Sequence, residues 1–452
     1  MAVLICNVRE SITLMPFRLN GCYEALEGGN TAEALINFTG GVSEPLSLDR
    51  EALRLHSDQR RALFQTLTKV HECKSLITCS IRVRLLNWLK RFYTFLSLQR
   101  ERPWSQCWSV GSSEQWQQLS RAERDKMGLV VRDVGEFWMD FEDFCQHFTD
   151  VVVCRLVERT LLWPRSRWRE VNGVWKVELD KRSRCGGCIN HRETFLHNPQ
   201  FMFEVRAKEE EVLICLQQED RRMWRKNGKG ENLPIGFEVL KVEVNRCSRV
   251  QCVAEQAASS IYMDSRSVIL RGTLTLGRYV VLPTTFLPGV TRCFLLRLFS
   301  HSRIRLRELR EDLPSPSVLH CFLPQPTVVT TVYLHRASGL SPPKQTGDSP
   351  DVYAVVRCEN NNVRTRVFKE SGNPEFNLRT IFYRRYPNTD ISVEIYSRGL
   401  LWDSLLGETR LQTAECERSR SLVMNLQGGR SRSGLRGCVY LETSSSVCLT
   451  DL

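Results

Sequence analysis

The stretch Ile235-Gly-Phe-Glu-Val-Leu-Lys-Val242 decides the fold class, because it is a short run rich in branched and aromatic residues. Comparable runs follow the same pattern, with turn residues between them, at Val212–Leu216, Tyr279–Leu282 and Phe294–Phe299. Short strands separated by turns are typical of an antiparallel β-sandwich. We therefore predict a β-sandwich over residues 151–315.

A proline cluster separates this region from a second series of strand-like runs. The prolines are Pro314, Pro316, Pro324 and Pro326, a composition typical of a linker. The runs that follow them are Val328–Leu334, Val352–Cys358 and Ile391–Tyr396. Their spacing predicts a second β-sandwich over residues 325–452, with a loose tail from Ser444 onward.

The chain before residue 150 has helical periodicity instead. Thr31–Phe38 is one helical stretch, and Leu48–His71 is another that Ser47 can cap. Residues 79–100 contain no acidic residue and carry basic and apolar side chains at helical spacing, which predicts a basic amphipathic helix. The whole chain is therefore predicted to be α+β, with its helices before the two sandwiches.

Bulk composition limits the partners. The 452 residues carry a net charge of +12, which favours anionic lipid or acidic proteins, and no signature of a nucleic-acid-binding domain occurs. The 18 scattered cysteines, a poor export signal and the lack of a long apolar stretch predict a cytoplasmic protein that can associate with membranes, without a transmembrane segment.

A basic segment, Arg221–Lys229, lies between two strand signals and contains one tryptophan, Trp224. It is predicted to be a hairpin tip that contacts anionic lipid head groups or an acidic protein surface, and a solvated loop is an equal alternative. The acidic run Lys208–Glu211 could pair with it.

Several longer motifs resemble one protein family. They are Gly21-Cys-Tyr-Glu-Ala-Leu-Glu-Gly-Gly-Asn30, Phe38-Thr-Gly-Gly-Val-Ser-Glu-Pro45, Gly135-Glu-Phe-Trp-Met-Asp-Phe-Glu-Asp-Phe144 and Gly186-Gly-Cys-Ile-Asn-His191. Together they resemble the protease core and the β-sandwich domain of calpains, which are calcium-dependent cysteine endopeptidases with papain-like chemistry. The resemblance implies that residues 1–150 are an incomplete papain-like protease subdomain, followed by the calpain β-sandwich.

The C-terminal region distinguishes types within that family. No EF-hand loop pattern occurs, and the second sandwich resembles a C2 domain, as in the atypical calpains of types five and six. The Gly21 motif lies so close to Met1 that an upstream Asp-Cys-Trp motif has no room, so we expect an N-terminally truncated chain.

The resemblance also implies a catalytic triad of cysteine, histidine and asparagine, and these residue types are missing from the matching positions. The family histidine follows the Leu76–Ser80 region, yet residues 72–146 contain no histidine. The family asparagine precedes Pro-Trp-Gly, and Arg102 stands at that place before Pro103. Without a base the thiol cannot be activated, so we predict no catalytic residues and a non-catalytic interaction protein.

Two alternatives stay open at this point. Gln106-Cys107-Trp108 imitates a nucleophile motif, although Cys107 follows the Gly-Gly-Asn-Thr segment when it should precede it. The chain could also be a fragment or mis-spliced form of an active calpain, since the family match breaks at residues 79–102.

Calcium is the cofactor that the resemblance implies. Asp351 and Asp403 match two aspartates of C2 calcium loops, Asp348 is an additional candidate, and Glu136 remains from a protease-core site. Calcium needs six to eight oxygen ligands, so these residues predict weak or absent binding.

The segment Cys185-Gly-Gly-Cys188-Ile-Asn-His191, with His197 beyond it, has zinc-ligand residue types. Its spacing is very tight for one tetrahedral ion, and we favour a loop packed under the sandwich.

Overall fold

The computed structural model describes residues 2–5, 31–73, 75–80, 137–157, 168–178, 183–220, 231–253, 255–314, 324–340, 349–399, 401–428 and 437–451. They belong to two compact units, one comprising Met1–Pro164 with Asp220–Glu231 and the other comprising Arg165–Glu219 with Asn232–Leu452.

The first unit contains all the α-helices of the described residues. They are α1 (Thr31–Thr39), α2 (Arg50–Leu55), α3 (Ser57–Glu72) and α4 (Phe141–His147). Its strands are β1 (Ala2–Ile5), β2 (Val42–Ser47), β3 (Leu76–Ser80), β4 (Phe137–Asp140) and β5 (Asp150–Arg155). Strands β1 and β4 pair antiparallel, and β5 lies between β2 and β3 in a second antiparallel sheet.

An apolar core joins the helices of this unit to β5. Phe144 stacks on Phe148 with ring centroids 4.8 Å apart, and the edge of Phe64 meets Phe141 at 5.0 Å. Val151 and Val153 of β5 close the cluster. Alternate residues of a strand point to one face, so these two valines both reach the helices.

The predicted helix over Leu48–His71 is divided in two at His56, which has extended backbone angles. The predicted cap at Ser47 is wrong, because Ser47 ends β2 and Asp49 is the capping residue. The Asp49 carboxylate accepts hydrogen bonds from the backbone N–H groups of Glu51 and Ala52, both at 3.1 Å. The predicted helix over residues 79–100 is wrong at Cys79–Ser80, which belong to β3, and the remainder of that prediction lies outside the described residues.

The second unit begins with a seven-stranded antiparallel sheet. Its strands are β6 (Trp168–Trp175), β7 (Gln200–Gln218), β8 (Ile235–Val242), β9 (Glu255–Ser259), β10 (Ser267–Thr285), β11 (Arg292–Ser300) and β12 (Arg307–Leu309). The strand order is β6-β11-β7-β10-β8-β9, and β12 pairs with β7 beyond the end of β11. A short 3₁₀ turn, Phe195–His197, precedes β7.

Two long strands allow this sheet to enclose its own core. Strands β7 and β10 each have 19 residues, and Ser267–Val281 of β10 pairs with Phe201–Gln217 of β7, with a register shift between Thr275 and Gly277. Phe203 from the first half of β7 and Ile214 from the second half are both fully buried in one cluster. The sheet therefore folds over on itself as a sandwich, as the strand pattern predicts.

A second sandwich follows in the same unit, built from two four-stranded antiparallel sheets. Its strands are β13 (Val328–Ser338), β14 (Val352–Cys358), β15 (Asn361–Arg364), β16 (Glu375–Arg384), β17 (Ile391–Ser397), β18 (Ser404–Leu411), β19 (Glu417–Asn425) and β20 (Cys438–Ser446). One sheet has the order β16-β13-β20-β19 and the other has the order β15-β14-β17-β18. Alternate residues such as Ile391, Val393 and Ile395 point into the core between them.

The predicted loose tail from Ser444 is wrong for its first three residues. Strand β20 continues to Ser446, and the hydroxyl groups of Thr330 and Ser445 form a buried hydrogen bond of 2.9 Å. Small polar side chains resemble a loop in the sequence, but here they pair across the sheet.

A loop of the first sandwich, Glu243–Cys252, covers the β16 edge of the second sandwich. The Val244 N–H donates to the Arg379 carbonyl at 3.0 Å. The Asn245 side chain donates to the Ile381 carbonyl at 2.6 Å and accepts from the Ile381 N–H at 2.9 Å. Arg379 also forms an ion pair with Glu255 at 3.0 Å. We call these contacts of Val244, Asn245 and Glu255 with β16 the joint between the two sandwiches. The unpaired N–H and C=O groups of an edge strand can pair with a strand of another chain, so this joint also blocks such pairing at β16.

Candidate functional site

One end of the second sandwich brings together the two aspartates that the sequence predicts as calcium ligands. Asp351 immediately precedes β14, and Asp403 immediately precedes β18. Strand β17 pairs with both of these strands, which places the two loops side by side.

Protein donors bind both carboxylate oxygens of Asp403. The Tyr353 hydroxyl donates to Oδ2 at 2.6 Å, and the Gly399 N–H donates to Oδ1 at 3.2 Å. The Arg364 guanidinium lies 3.6 Å from the centre of the Tyr353 ring, and Tyr396 stacks on the same ring at 5.3 Å. We call the set Tyr353, Arg364, Gly399 and Asp403 the Asp403 clasp.

The contacts of the clasp lower the pKa of Asp403 and raise the pKa of Tyr353. The Tyr353 hydrogen bond, followed by the Gly399 N–H, lowers the pKa of the exposed Asp403 carboxyl, and the charges of Arg364 and Arg398 lower it further. Burial and the bond to Asp403 together raise the pKa of Tyr353 to about 12. At neutral pH Asp403 is therefore an anion and Tyr353 is a neutral donor.

Asp351 also has partners within the chain. Its Oδ1 accepts from the Glu370 N–H at 2.9 Å, and its backbone carbonyl accepts from the Arg398 N–H at 2.7 Å. Glu370 itself has a positive φ of 48°, a conformation that this hydrogen bond helps to hold.

These residues fit a calcium ion poorly. A calcium ion takes six to eight oxygen ligands, whereas Asp351 and Asp403 together offer four carboxylate oxygens, three of which already accept hydrogen bonds from the chain. Within the described part of the chain, no group of three or more His, Cys, Asp or Glu side chains has the arrangement of a metal site. The other two candidates, Asp348 and Glu136, lie outside the described residues.

The described cysteines of the first unit include two whose environment disfavours a thiolate. Burial raises the pKa of Cys79 to about 11, and it raises the pKa of Cys145 to about 11. A reactive cysteine needs a lowered pKa, so neither is suited to attack a carbonyl. Cys107 and Arg102 lie outside the described residues.

The Cys185–His191 segment forms a loop tied to its surroundings by backbone contacts. The Gly289 N–H donates to the Cys185 carbonyl at 3.0 Å, and the Cys188 N–H donates to the Phe286 carbonyl at 3.2 Å. Buried Asn198 accepts from the Gly186 N–H at 3.0 Å and donates to the Gly187 carbonyl at 2.8 Å. These contacts match a loop that is packed against the sandwich.

The basic segment Arg221–Lys229 lies outside the described residues, so its predicted lipid contact stays a prediction. The acidic run that was expected to pair with it forms part of β7. Glu210 accepts hydrogen bonds from both hydroxyls of Ser300 and Ser302, and Glu211 pairs with Arg271 at 3.5 Å.

Comparison with known proteins identifies all three regions. Residues 17–93 and 99–155 match the family described as calpain family cysteine protease, residues 171–299 match calpain large subunit domain III, and residues 328–427 match the C2 domain.

Individual proteins similar to this chain include calpains and a C2 domain. Calpain-5 of Rattus norvegicus is 40% identical over 474 aligned residues, which cover 96% of this chain and 73% of that protein. The calpain-1 catalytic subunit of Gallus gallus is 31% identical over 346 aligned residues, which cover 66% of this chain and 47% of that protein. Among solved structures, the C2A domain of plant extended synaptotagmin 1 aligns at 18% identity and a TM-score of 0.24, covering 27% of this chain and 96% of that domain.

A calpain-type cysteine protease segment, a calpain domain III and a C2 domain in one chain define the C2-tailed class of cysteine protease relatives. The chain belongs to the calpain family. Calpain and C2 domains are in general calcium-regulated, and C2 domains support lipid or protein binding. Among the described residues, no helix has the length and apolar character needed to cross a membrane.

The sequence did not reveal two structural features of the C2 loops. It did not find the Asp403 clasp, because Tyr353 and Asp403 are 50 residues apart. It also passed over Leu401 and Trp402, which are 88% and 86% exposed. Three consecutive large apolar residues in the sequence between Gly399 and Asp403, Leu400–Trp402, were the signal that could have revealed this loop.

Proposed function

We propose that this chain is a non-catalytic calpain-family protein that acts through its C2 domain and domain III as an interaction module. The observation that carries the proposal is the absence of histidine from residues 72–146, the interval in which the resemblance expects the catalytic imidazole. Loss of a catalytic base typically reduces kcat by roughly 10⁴-fold or more. Arg102, in place of the family asparagine, points the same way.

The proposed organisation follows the sequence. A partial protease core comprises residues 1–150, domain III comprises residues 151–315, and the C2 domain comprises residues 325–452. The C2 domain is proposed to bind an anionic phospholipid surface in the cytoplasm, with calcium binding at Asp351 and Asp403 that is weak or absent. The net charge of +12 supports an anionic partner.

Peptide turnover tests the non-catalytic part of the proposal. The full chain is incubated with casein or a fluorogenic peptide, with calcium and with EGTA, beside an active papain-like protease. We expect no turnover above a blank in either condition. Calcium-dependent turnover that a thiol-directed epoxide abolishes would contradict the proposal, and a Cys107→Ser variant would then show whether Cys107 is the nucleophile.

A further inference from the structure

The loop Glu243–Cys252 of the first sandwich ends at an exposed thiol that contacts the second sandwich. The Cys252 Sγ donates to the backbone carbonyl of Asp451, with 2.9 Å between the two atoms. Asp451 follows β20, the last described strand of the second sandwich. Since Val244 and Asn245 contact β16 from the other end of the loop, the loop contacts the second sandwich at both of its ends.

A second exposed thiol lies in the turn that Cys252 contacts. The Asp451 N–H donates to the Cys448 carbonyl at 3.1 Å, which closes Cys448–Asp451 into a four-residue turn. The Cys448 Sγ and the Thr450 hydroxyl oxygen lie 3.3 Å apart in the same turn. Two thiols, one from each sandwich, therefore share one short stretch of surface.

The two thiols also influence each other's charge. Partial desolvation raises the pKa of the Cys252 thiol, the Asp451 carboxylate raises this pKa further, and the neighbouring Cys448 acts in the same direction, against the charge of Arg246. The Cys252 thiol is thus kept protonated, as its hydrogen bond to Asp451 requires. Because oxidation follows thiolate character and exposure, Cys448 is the thiol that an oxidant reaches first.

The turn that carries Cys448 can rearrange at low cost. Two hydrogen bonds connect it to the end of β20: the Ser446 hydroxyl donates to the Asp451 carboxylate at 3.1 Å, and the Cys448 N–H donates to the Ser446 hydroxyl oxygen at 3.1 Å. Both bonds are exposed to solvent, and exposed hydrogen bonds contribute little to local stability. A shift of the turn can therefore bring the Cys448 sulfur to bonding distance from Cys252.

We propose that Cys252 and Cys448 form a reversible disulfide in the presence of a hydroperoxide, and that this bond fastens the second sandwich to the first. The peroxide oxidises the Cys448 thiol to a sulfenic acid, and one water leaves. The Cys252 sulfur then attacks the sulfenic sulfur, an S–S bond forms, and a second water leaves. In sum, two thiols pass two electrons and two protons to one hydrogen peroxide, and a dithiol reductant reverses the reaction.

The disulfide has a stated physical consequence for the joint. It closes a loop that contains the proline cluster and nearly all of the second sandwich. A cross-link over such a long loop mainly lowers the conformational entropy of the unfolded chain. The oxidised protein should therefore unfold at a higher urea concentration than the reduced protein, and the two sandwiches cannot separate while the bond is intact.

Peptide mapping of the oxidised full chain tests the site. The reduced, folded protein is treated with hydrogen peroxide, blocked with N-ethylmaleimide and digested without reduction. We expect a disulfide-linked peptide pair that joins Cys252 to Cys448, in a yield that does not depend on protein concentration, and its loss after dithiothreitol. Fragmentation of the pair distinguishes Cys448 from Cys438, which lies on the same tryptic peptide.

Single substitutions connect the linked peptide to the change in stability. Cys252→Ser and Cys448→Ser should each abolish both the linked peptide and the peroxide-induced rise of the urea midpoint. Serine is small and keeps a hydrogen-bond donor at each position, so the midpoint of the reduced protein should stay at the wild-type value. Cys247→Ser removes another exposed thiol of the same loop and should leave the linked peptide and the midpoint shift unchanged.

Each contrary outcome overturns a stated part of the inference. A folded chain that yields no Cys252–Cys448 peptide, or no more of it than a urea-unfolded chain treated in the same way, would overturn the site. A linked peptide without any rise of the urea midpoint would overturn the fastening of the joint. Neither result depends on peptide turnover, so the inference can fail while the non-catalytic proposal stands.

Discussion

Glu243 and Arg246 form a buried ion pair at the start of the loop Glu243–Cys252, which belongs to the first sandwich and contacts β16 of the second. Arg246 is 3% exposed, and its guanidinium donates to both carboxylate oxygens of Glu243. Burial alone would raise the pKa of Glu243, but the charge and hydrogen bonds of Arg246 outweigh it and hold the pKa below the ordinary 4.5. The pair therefore stabilises the folded chain above the unfolded-state pKa, and this stability is lost as the pH falls through the lower folded-state pKa.

Glu243→Gln should lower the free energy of unfolding by about 3 kcal/mol at neutral pH, because Arg246 then keeps a buried charge without a counter-ion. The variant should also lose less stability than the wild type as the pH falls below 4.5, the ordinary pKa. Urea unfolding across that pH range measures both effects. Glu209→Gln, at an exposed position of β7, is the control. A Glu243→Gln variant with wild-type stability and an unchanged pH slope would contradict the role of the pair.

Asp403 shows how far a single residue can be interpreted from sequence. The sequence matched it to an aspartate of C2 loops, and it lies in the C2 region directly before β18. The spacing could not show that Tyr353 and Gly399 bind its carboxylate, because the Tyr353 contact depends on the pairing of β14 and β18 through β17. Long-range contacts of this kind come from sheet register, which a local pattern does not contain.

At the scale of elements, β16 is an edge strand whose outer side is covered by a side chain that imitates a strand. Asn245 both donates to and accepts from the backbone of Ile381. Asn245→Ala should lower the free energy of unfolding of the second unit by about 2 kcal/mol, because the Ile381 N–H and carbonyl both lose their partner. Chemical denaturation followed by tryptophan fluorescence measures the change.

An asparagine outside the joint provides the control for this substitution. Asn190→Ala, in an exposed turn of the first sandwich, should change the unfolding free energy by less than about 0.5 kcal/mol. Faster hydrogen exchange at Ile381 in the Asn245→Ala variant would place the effect at β16. An Asn245→Ala protein with wild-type stability and unchanged exchange at Ile381 would show that the joint is not maintained by this side chain.

The strands differ in how well the sequence predicts them. Strands β8 and β14 have the predicted bounds, Ile235–Val242 and Val352–Cys358, because branched and aromatic residues fill them. The 19-residue length of β7 was missed, since Lys208–Glu211 is charged and resembles a loop. Pairing with Thr273–Thr275 of β10, together with the serine bonds to Glu210, keeps that charged stretch in the sheet. Tertiary contacts override local propensity there.

At the scale of the whole molecule, the family motifs allowed the sequence to predict two β-sandwiches after a protease segment. The described strands and the calpain, domain III and C2 matches confirm this architecture. The joint between domain III and the C2 domain was not predictable, because Val244, Asn245 and Ile381 carry no motif. The joint forms only when the surface of folded domain III contacts the surface of the folded C2 domain.

The proposed non-catalytic role requires that this calpain-family chain has no activated thiol. The most direct measurement is intact-mass analysis of the full chain after incubation with a peptidyl epoxide in calcium, with a urea-unfolded sample as a control for general thiol alkylation. We predict no stoichiometric adduct on the folded chain in calcium or in EGTA. A single, calcium-dependent adduct at one cysteine, formed by the folded chain and not by the unfolded one, would contradict the claim.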